Sequence, residues 1–292
     1  MQQRDNLLQL VPSAGLARAL LSLLLAGLSG ELYAALGGVP EKPVPGRNWP
    51  KMWLGIANDD YGPIQDGDDM DDHRTAAFHG GYRHDNWLLF IDFAILTDKA
   101  QSVRTDELTI SVGRILLSDE EVPIEPLADW DIAVGVGLRL TGDMNGEGIQ
   151  NDWHSLINQE PTVLPYEEAD PETLGWVSGE WVWVANQDPE DWQWGVSMAF
   201  RGVVNSLGQS EWSPAAHIVM RHWSIDAWTG LRYESRNGNG SNTLAQQTVL
   251  ASEEDAWLSA GIAPLRHINL NAGYNLESKE SYGTIGFVVP IE

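Results

Sequence analysis

The sequence predicts an all-β fold, a twelve-stranded antiparallel β-barrel, on three observations. Apolar residues recur at every second position over many segments, which is the period of a strand and not of a helix. These segments give an even number of strands, as a closed antiparallel barrel with both chain ends on one side requires. The connections alternate between short and long, so they can be assigned to opposite ends of the barrel.

The alternation is clearest in the segments 130–140, 192–201 and 268–275. In the first of these, large apolar residues occupy the even positions, whereas the odd positions carry Asp131, Arg139 and small residues. Apolar residues on one face and polar or small residues on the other, over about ten residues, are typical of strands that cross an outer membrane. A soluble β-sandwich is the alternative, but its outward faces would carry more Lys, Glu and Thr.

The predicted strands are 52–58, 74–83, 86–96, 106–117, 130–141, 173–184, 192–202, 212–221, 223–234, 254–263, 267–276 and 282–290. Short turns are expected at His84-Asp85, at His222 and at 264–266, and long connections at 59–73, 142–172 and 235–253. The connection 118–129 is longer than this alternation favours. Because short turns face the periplasm in such barrels, we expect the long connections to share the outer rim.

Tryptophan is used heavily, with 14 residues. Several lie where predicted strands begin or end: Trp53, Trp87, Trp130, Trp192, Trp212, Trp223 and Trp257. Outer-membrane barrels carry aromatic girdles at both membrane interfaces. We therefore expect these side chains to face the lipid headgroups.

The N-terminus has the pattern of an export signal. Arg4 and Arg18 precede an apolar run from Ala19 to Leu28, and a cleavage site ends at Ala34. This pattern predicts a signal peptide over 1–34 and a membrane barrel over 35–292, in the outer membrane of a Gram-negative-type bacterium. The apolar run is too short to span a bilayer as a helix.

The chain is strongly acidic and contains no cysteine. Asp and Glu number 42 against 17 Lys and Arg, a formal net charge of -25, which argues against binding nucleic acid through charge. Without cysteine there is no disulfide, thiolate metal site or Cys nucleophile. No Gly-x-Ser-x-Gly motif occurs, and the His residues lack the spacing of zinc ligands. Any metal must therefore be held largely by oxygen.

Two polar clusters lie near outer strand ends. Asn58 and Asp59 are predicted to end the first strand and Thr75 to begin the second, while the longest loop contains three further candidates, Gln150, His154 and Glu160. A neutral His can take a proton from water, and carboxylates can hold a hard divalent cation. Amide and hydroxyl groups can stabilise a developing oxyanion. Their convergence at one rim predicts a metal-assisted hydrolase.

At these residues the chain resembles the outer-membrane lipid A 3′-O-deacylase family. The resemblance rests on the segment 56–60, on the approach to Thr75, and on the segment 148–154 with Glu160 six residues after His154. It covers the first half of the mature chain by motif and the second half by strand pattern only. It implies a twelve-stranded barrel with a Ca²⁺-dependent esterase site that removes an acyl chain from lipid A.

The same resemblance implies a role for each candidate residue. His154 would be the general base, and Asp59 and Glu160 would be Ca²⁺ ligands. The remaining three candidates, Asn58, Thr75 and Gln150, would lie around the metal or the oxyanion.

Two departures from the family concern the substrate. Arg74 occupies a position that is commonly aromatic, and the basic loop that would bind lipid A phosphates is reduced to Lys99 and Arg104. Two other functions also fit the pattern. One is a non-catalytic barrel that is structural or binds lipopolysaccharide through divalent cations. The other is a soluble carbohydrate-binding β-protein, which accounts for the tryptophan content but not for the alternating loop lengths.

Overall fold

The computed structural model describes residues 39–61, 73–98, 103–119, 127–142, 169–185, 191–206, 208–222, 225–237, 254–276 and 281–289. Over these residues the chain forms β1 (Met52–Tyr61), β2 (His73–His84), β3 (Trp87–Asp98), β4 (Val103–Ser118), β5 (Leu127–Thr141), β6 (Ala169–Val184), β7 (Gln193–Asn205), β8 (Ser210–His222), β9 (Ile225–Asn237), β10 (Glu254–Leu265), β11 (Ile268–Asn275) and β12 (Ser281–Val288). The described residues contain no helix that is long and apolar enough to cross a membrane. The predicted signal peptide, 1–34, lies outside the described residues.

The strands form one closed barrel in which every strand pairs antiparallel with its neighbours in sequence. β1 and β12 close the barrel, with Trp53 opposite Val288 and Asp60 opposite Ser281. Closure leaves no strand edge unpaired, as backbone groups surrounded by lipid require. The predicted twelve-stranded antiparallel barrel is confirmed.

The inward and outward faces follow the predicted alternation. In β7, Trp194 and Met198 are exposed on the outside, whereas Ser197 and Arg201 are buried in the lumen. The exposed face is apolar around the barrel, with members on many strands: Ile56, Phe78, Leu89, Ile91, Ile110, Val136, Ile218, Leu231, Leu258 and Phe287. The exterior is thus suited to lipid and the interior to polar contacts.

Most strands extend beyond their predicted ends at the rim with the long connections, here called the outer rim. β1 continues to Tyr61, β4 begins at Val103 and β6 begins at Ala169. The prediction ended each strand where the apolar alternation ended. Backbone pairing continues through polar residues, because the sheet needs only N–H and C=O groups.

The opposite end, the inner rim, has short turns. The turn between β2 and β3 is Asp85-Asn86, with Asp85 at a φ of 51°, in the left-handed region that Asp tolerates. The predicted turn at His84-Asp85 was wrong by one residue, because His84 still pairs with Trp87. The predicted turn at His222 was also wrong by one residue, because β8 includes His222 and β9 begins at Ile225.

The tryptophan prediction is correct for only part of the set. Trp87, Trp192 and Trp212 are exposed on the outside, as a girdle requires. Trp53 and Trp257 are 3% and 1% exposed, so they lie buried and do not face lipid, and Trp130 is also buried. The remaining member of the set, Trp223, lies outside the described residues. Position at a strand end therefore did not distinguish a lipid-facing ring from a buried one.

Glycines on neighbouring strands make room for the buried rings. A Cβ atom at Gly81 would overlap the indole of Trp53, and one at Gly113 or Gly135 would overlap the indole of Trp176. Both rings contact Phe90: its ring centroid lies 5.2 Å from that of Trp53 and 6.2 Å from that of Trp176. These rings form one side of a lumenal core, and they point into the lumen because glycines on neighbouring strands leave space for them there.

Residues 39–50, here called the lumen segment, also lie inside the barrel. Val39 and Trp49 pack into the core formed by Trp53, Phe90 and Trp176. Val44 packs in a second buried cluster, with Val219, Trp228 and Ala263. No role was predicted for this segment from the sequence. A sign of its position was the pair Glu41-Lys42 between two prolines, because these charges are complementary to the inward-facing Arg201 and Asp131.

Candidate functional site

The first cluster lies inside paired strands at the outer rim. Asp59 is opposite Thr75 on β2 and opposite Tyr282 on β12, while Asn58 is opposite Ala76. Directly opposite residues in an antiparallel pair have Cα atoms about 4.5–5.5 Å apart. The prediction that Asn58 and Asp59 end the first strand was wrong in detail, because β1 continues to Tyr61. The expected proximity of Asp59 and Thr75 is confirmed at the level of the backbone.

The register that creates this pairing is fixed by side chains deeper in β1. Trp53 points into the lumen over Gly81, and Ile56 is exposed on the lipid side. A slip of one residue would exchange these two faces, placing the indole in lipid and Ile56 in the lumen. The position of Asp59 opposite Thr75 therefore follows from the packing six residues earlier in the strand.

The second cluster belongs to the connection between β5 and β6. Its three members, Gln150, His154 and Glu160, lie outside the described residues, so their predicted roles stay predictions. The connection starts after Thr141 and returns at Ala169, which places both of its ends at the outer rim. This is the rim at which Asp59 lies.

The chain between β5 and β6 is long enough to bring the clusters together. β5 is four strands from β1 in the order of the barrel. Twelve tilted strands about 4.8 Å apart give a barrel roughly 25 Å across. The stretch from Thr141 to His154 spans about 40 Å when extended. The loop can therefore carry His154 across the mouth of the barrel to Asp59.

Of the two predicted headgroup-binding residues, the structure locates Arg104 on the barrel wall. Lys99 lies outside the described residues, whereas Arg104 is in β4 opposite Thr97 of β3. Thr97 in turn is opposite Arg74, which is opposite Asp60. Arg104 therefore shares a cross-strand row with Asp60, three strand spacings or about 14 Å away. This separation suits a group that contacts a headgroup at a distance from the reacting ester.

Beneath the outer rim, the lumen is occupied by buried ion pairs. Arg139 of β5 lies 3.3 Å from Glu107 of β4 and 3.5 Å from Glu172 of β6. Arg232 lies 3.0 Å from Glu234 on β9. All these side chains are buried. Removing one partner of such a pair is strongly destabilising, because it leaves an uncompensated buried charge.

The donor set suits a hard cation. Asp59 and Glu160 would supply carboxylate oxygens, and Asn58 and Thr75 carry amide and hydroxyl oxygens, which are the ligand types that Ca²⁺ prefers. Within the described part of the chain, no three His, Asp or Glu residues are grouped as metal ligands. The proposed set includes Glu160, which lies outside that part.

The closed fold and the apolar exterior define the chain as a bacterial outer-membrane β-barrel. No family model and no curated protein sequence matches it. Among solved structures it is similar to LpxR from Salmonella typhimurium, at 12% identity and a TM-score of 0.51, over 82% of this chain and 100% of LpxR.

Two other solved outer-membrane structures are similar with lower scores. The transport unit of the autotransporter AIDA-I from Escherichia coli is 8% identical with a TM-score of 0.47, over 84% of this chain and 91% of that one. The KdgM porin is 7% identical with a TM-score of 0.44, over 82% of this chain and 99% of that one. All three similarities concern the fold.

Proposed function

We propose that this protein is a calcium-dependent esterase of the outer membrane that removes an ester-linked acyl chain from lipid A. The observation that carries the proposal is the register that sets Asp59 beside Thr75 at the outer rim. The connection that contains His154 and Glu160 starts and ends at the same rim. Similarity to LpxR, a lipid A deacylase whose whole chain is covered, supports it.

Each residue has a distinct chemical task in this proposal. His154 takes a proton from the attacking water, which requires the neutral imidazole. Asp59 and Glu160 bind the ion, and a bound Ca²⁺ would polarise the ester carbonyl. The three neutral candidates, Asn58, Thr75 and Gln150, hold the ion or donate to the developing oxyanion.

The substrate reaches the site from the side. An outer-leaflet lipid can keep its acyl chains against the apolar exterior while an ester bond lies at the rim. The net charge of -25 repels a phosphorylated headgroup, so local cations are needed. Lys99 and Arg104 supply them in this proposal, at the connection between β3 and β4.

The deciding experiment measures fatty-acid release from purified lipid A by the folded protein, before and after chelation. We expect chelation to abolish release and added Ca²⁺ to restore it. Asp59→Asn and Glu160→Gln should raise the Ca²⁺ concentration needed for half-maximal activity, because each removes a charged ligand.

Asp98→Asn is the matched control, since it removes a carboxylate at the outer end of β3. It should leave the calcium requirement unchanged. An equal effect of all three substitutions would mean that rim charge, and not ligation, is being measured. Absence of release at every Ca²⁺ concentration would leave the alternative of a non-catalytic, lipopolysaccharide-binding barrel.

A further inference from the structure

We propose that the lumen segment, residues 39–50, acts as a built-in plug that closes the barrel to ions and solutes, and that Glu41 and Lys42 hold it in place. Twelve strands enclose more space than the eight-stranded barrels that inward side chains alone can fill. A barrel of this size therefore needs additional material in its lumen to be closed. The lumen segment supplies that material.

The lumen segment contacts the barrel wall from the inner rim toward the outer rim. Arg47 binds Asp226, the second residue of β9, with 2.8 Å between the guanidinium and the carboxylate. Glu41, at the other end of the segment, lies 4.0 Å from Arg232 on the same strand. Six residues of strand separate these two contacts, about 20 Å along the strand and, at the usual tilt of such strands, about 15 Å of depth. The segment thus occupies more than half of the apolar band of such barrels, which is about 25 Å tall.

Glu41 and Lys42, which are adjacent in sequence, form ion pairs with oppositely charged residues on different strands. Glu41 lies 3.1 Å from Arg201 of β7 and also approaches Arg232. Lys42 contacts Asp131 of β5 and lies 2.9 Å from Glu180 of β6. The pair therefore connects the segment to four strands at once.

The electrostatics favour the charged forms of both residues. Burial raises the pKa of Glu41, but Arg201 and Arg232 outweigh it, so this pKa lies below its usual value. Burial lowers the pKa of Lys42, but Glu180 and Asp131 outweigh it, so this pKa lies above its usual value. Both directions favour the ionised forms that these ion pairs require.

Two hydrogen bonds from uncharged donors of the segment reach the same carboxylates as Lys42. The backbone N–H of Gly46 donates to Glu180 at 2.6 Å, and Gly46 has a φ of 71°, which a side chain would disfavour. The indole N–H of Trp49 donates to Asp131 at 3.3 Å. Two cavities beside the segment hold only about 50 and 30 Å³, enough for a few water molecules.

The wider space lies at the end of the segment nearest the inner rim. A cavity of about 400 Å³ is lined by Arg47, Asp226 and Arg266. Arg266 is in the turn between β10 and β11, at the inner rim. The lumen therefore narrows from this cavity to the contacts of Glu41 and Lys42, where the seal is expected.

The test exchanges the two charges in the full-length protein, as Glu41→Lys with Lys42→Glu. Composition and net charge stay the same, but each new side chain faces like charges: Arg201 and Arg232 for one, Asp131 and Glu180 for the other. In planar lipid bilayers, the wild type should show no discrete conductance steps, whereas the exchanged variant should show them. Heat-modifiable gel migration verifies that each variant is folded.

Glu107→Gln is the matched control, because it alters a buried lumenal carboxylate whose partner is Arg139 and not the lumen segment. This variant should show no conductance steps. Lys42→Met is a second variant, which removes the cation between Asp131 and Glu180 and leaves these two carboxylates to repel each other. Conductance steps from the wild type would overturn the proposal, and so would silent recordings from a folded exchanged variant. Neither outcome bears on ester hydrolysis, because Asp59 and the connection between β5 and β6 are unchanged.

Discussion

The packing of Trp53 over Gly81 makes two neighbouring glycines respond oppositely to the same substitution. A Cβ atom at Gly81 would overlap the indole of Trp53, because the three atoms nearest to it all belong to that ring. A Cβ atom at Gly80 points to the other face and meets the flexible end of Leu54 at 3.1 Å. We therefore expect Gly81→Ala to destabilise the barrel and Gly80→Ala to stabilise it slightly.

The magnitudes follow from two opposing contributions. Adding a methyl group to a packed core costs about 1–3 kcal/mol. Replacing Gly by Ala in a strand recovers about 0.5–1 kcal/mol of backbone entropy. Gly81→Ala should thus lower the free energy of unfolding by about 1–2 kcal/mol, whereas Gly80→Ala should raise it by about 0.5 kcal/mol.

The assay is urea unfolding of the barrel in lipid vesicles, followed by the gel shift between folded and unfolded protein and extrapolated linearly to zero urea. Trp53→Leu provides the decisive background, because it removes the obstructing ring. Gly81→Ala should cost nothing in that background, which corresponds to a coupling of about 1–2 kcal/mol between the two positions. Equal effects at Gly80 and Gly81, or additive effects of the double variant, would refute the assignment of Trp53 to the lumen.

The remaining predictions concern catalysis. His154→Ala should leave the barrel folded but lower kcat for acyl release by about 10²–10⁴, the usual contribution of a general base, and near-normal turnover would exclude His154 from the mechanism. Replacing Lys99 and Arg104 by Gln should raise KM for phosphorylated lipid A far more than for a neutral ester, because it removes attraction and leaves the base and metal ligands intact. Steady-state kinetics on both substrates decides, and an equal loss on both would assign these residues to the fold or to the chemistry.

The fold could be predicted from the sequence because its signal is local. Alternation in β5, β7 and β11 specifies both the strands and the direction of their faces, and the spacing of such segments indicates which connections are short and which are long. The strand ends were less accurate, since hydrogen bonding continues through polar residues such as Asp59 and Arg104. Amino-acid type alone says little about where a pair of strands separates.

The lumenal interior was not predictable in the same way. Whether Trp53 faces lipid or lumen depends on Gly81 of the neighbouring strand, and that relation appears only when the register is known. The lumen segment has no alternation, because its contacts come from Asp131, Glu180 and Arg201, far away in sequence. Complementary charges could have suggested the contacts, but not which partners meet.

For the candidate site, the sequence specified residue types and the fold supplies part of their placement. Asp59 is held by the wall, in register with Thr75 on one side and Tyr282 on the other. Glu160 belongs to a connection that begins four strands away. A cation bound by both carboxylates would therefore tie the loop to the wall, and the same step would bring His154 toward the ester. The proposed calcium requirement would then reflect the joining of Glu160 to the wall as well as polarisation of the carbonyl.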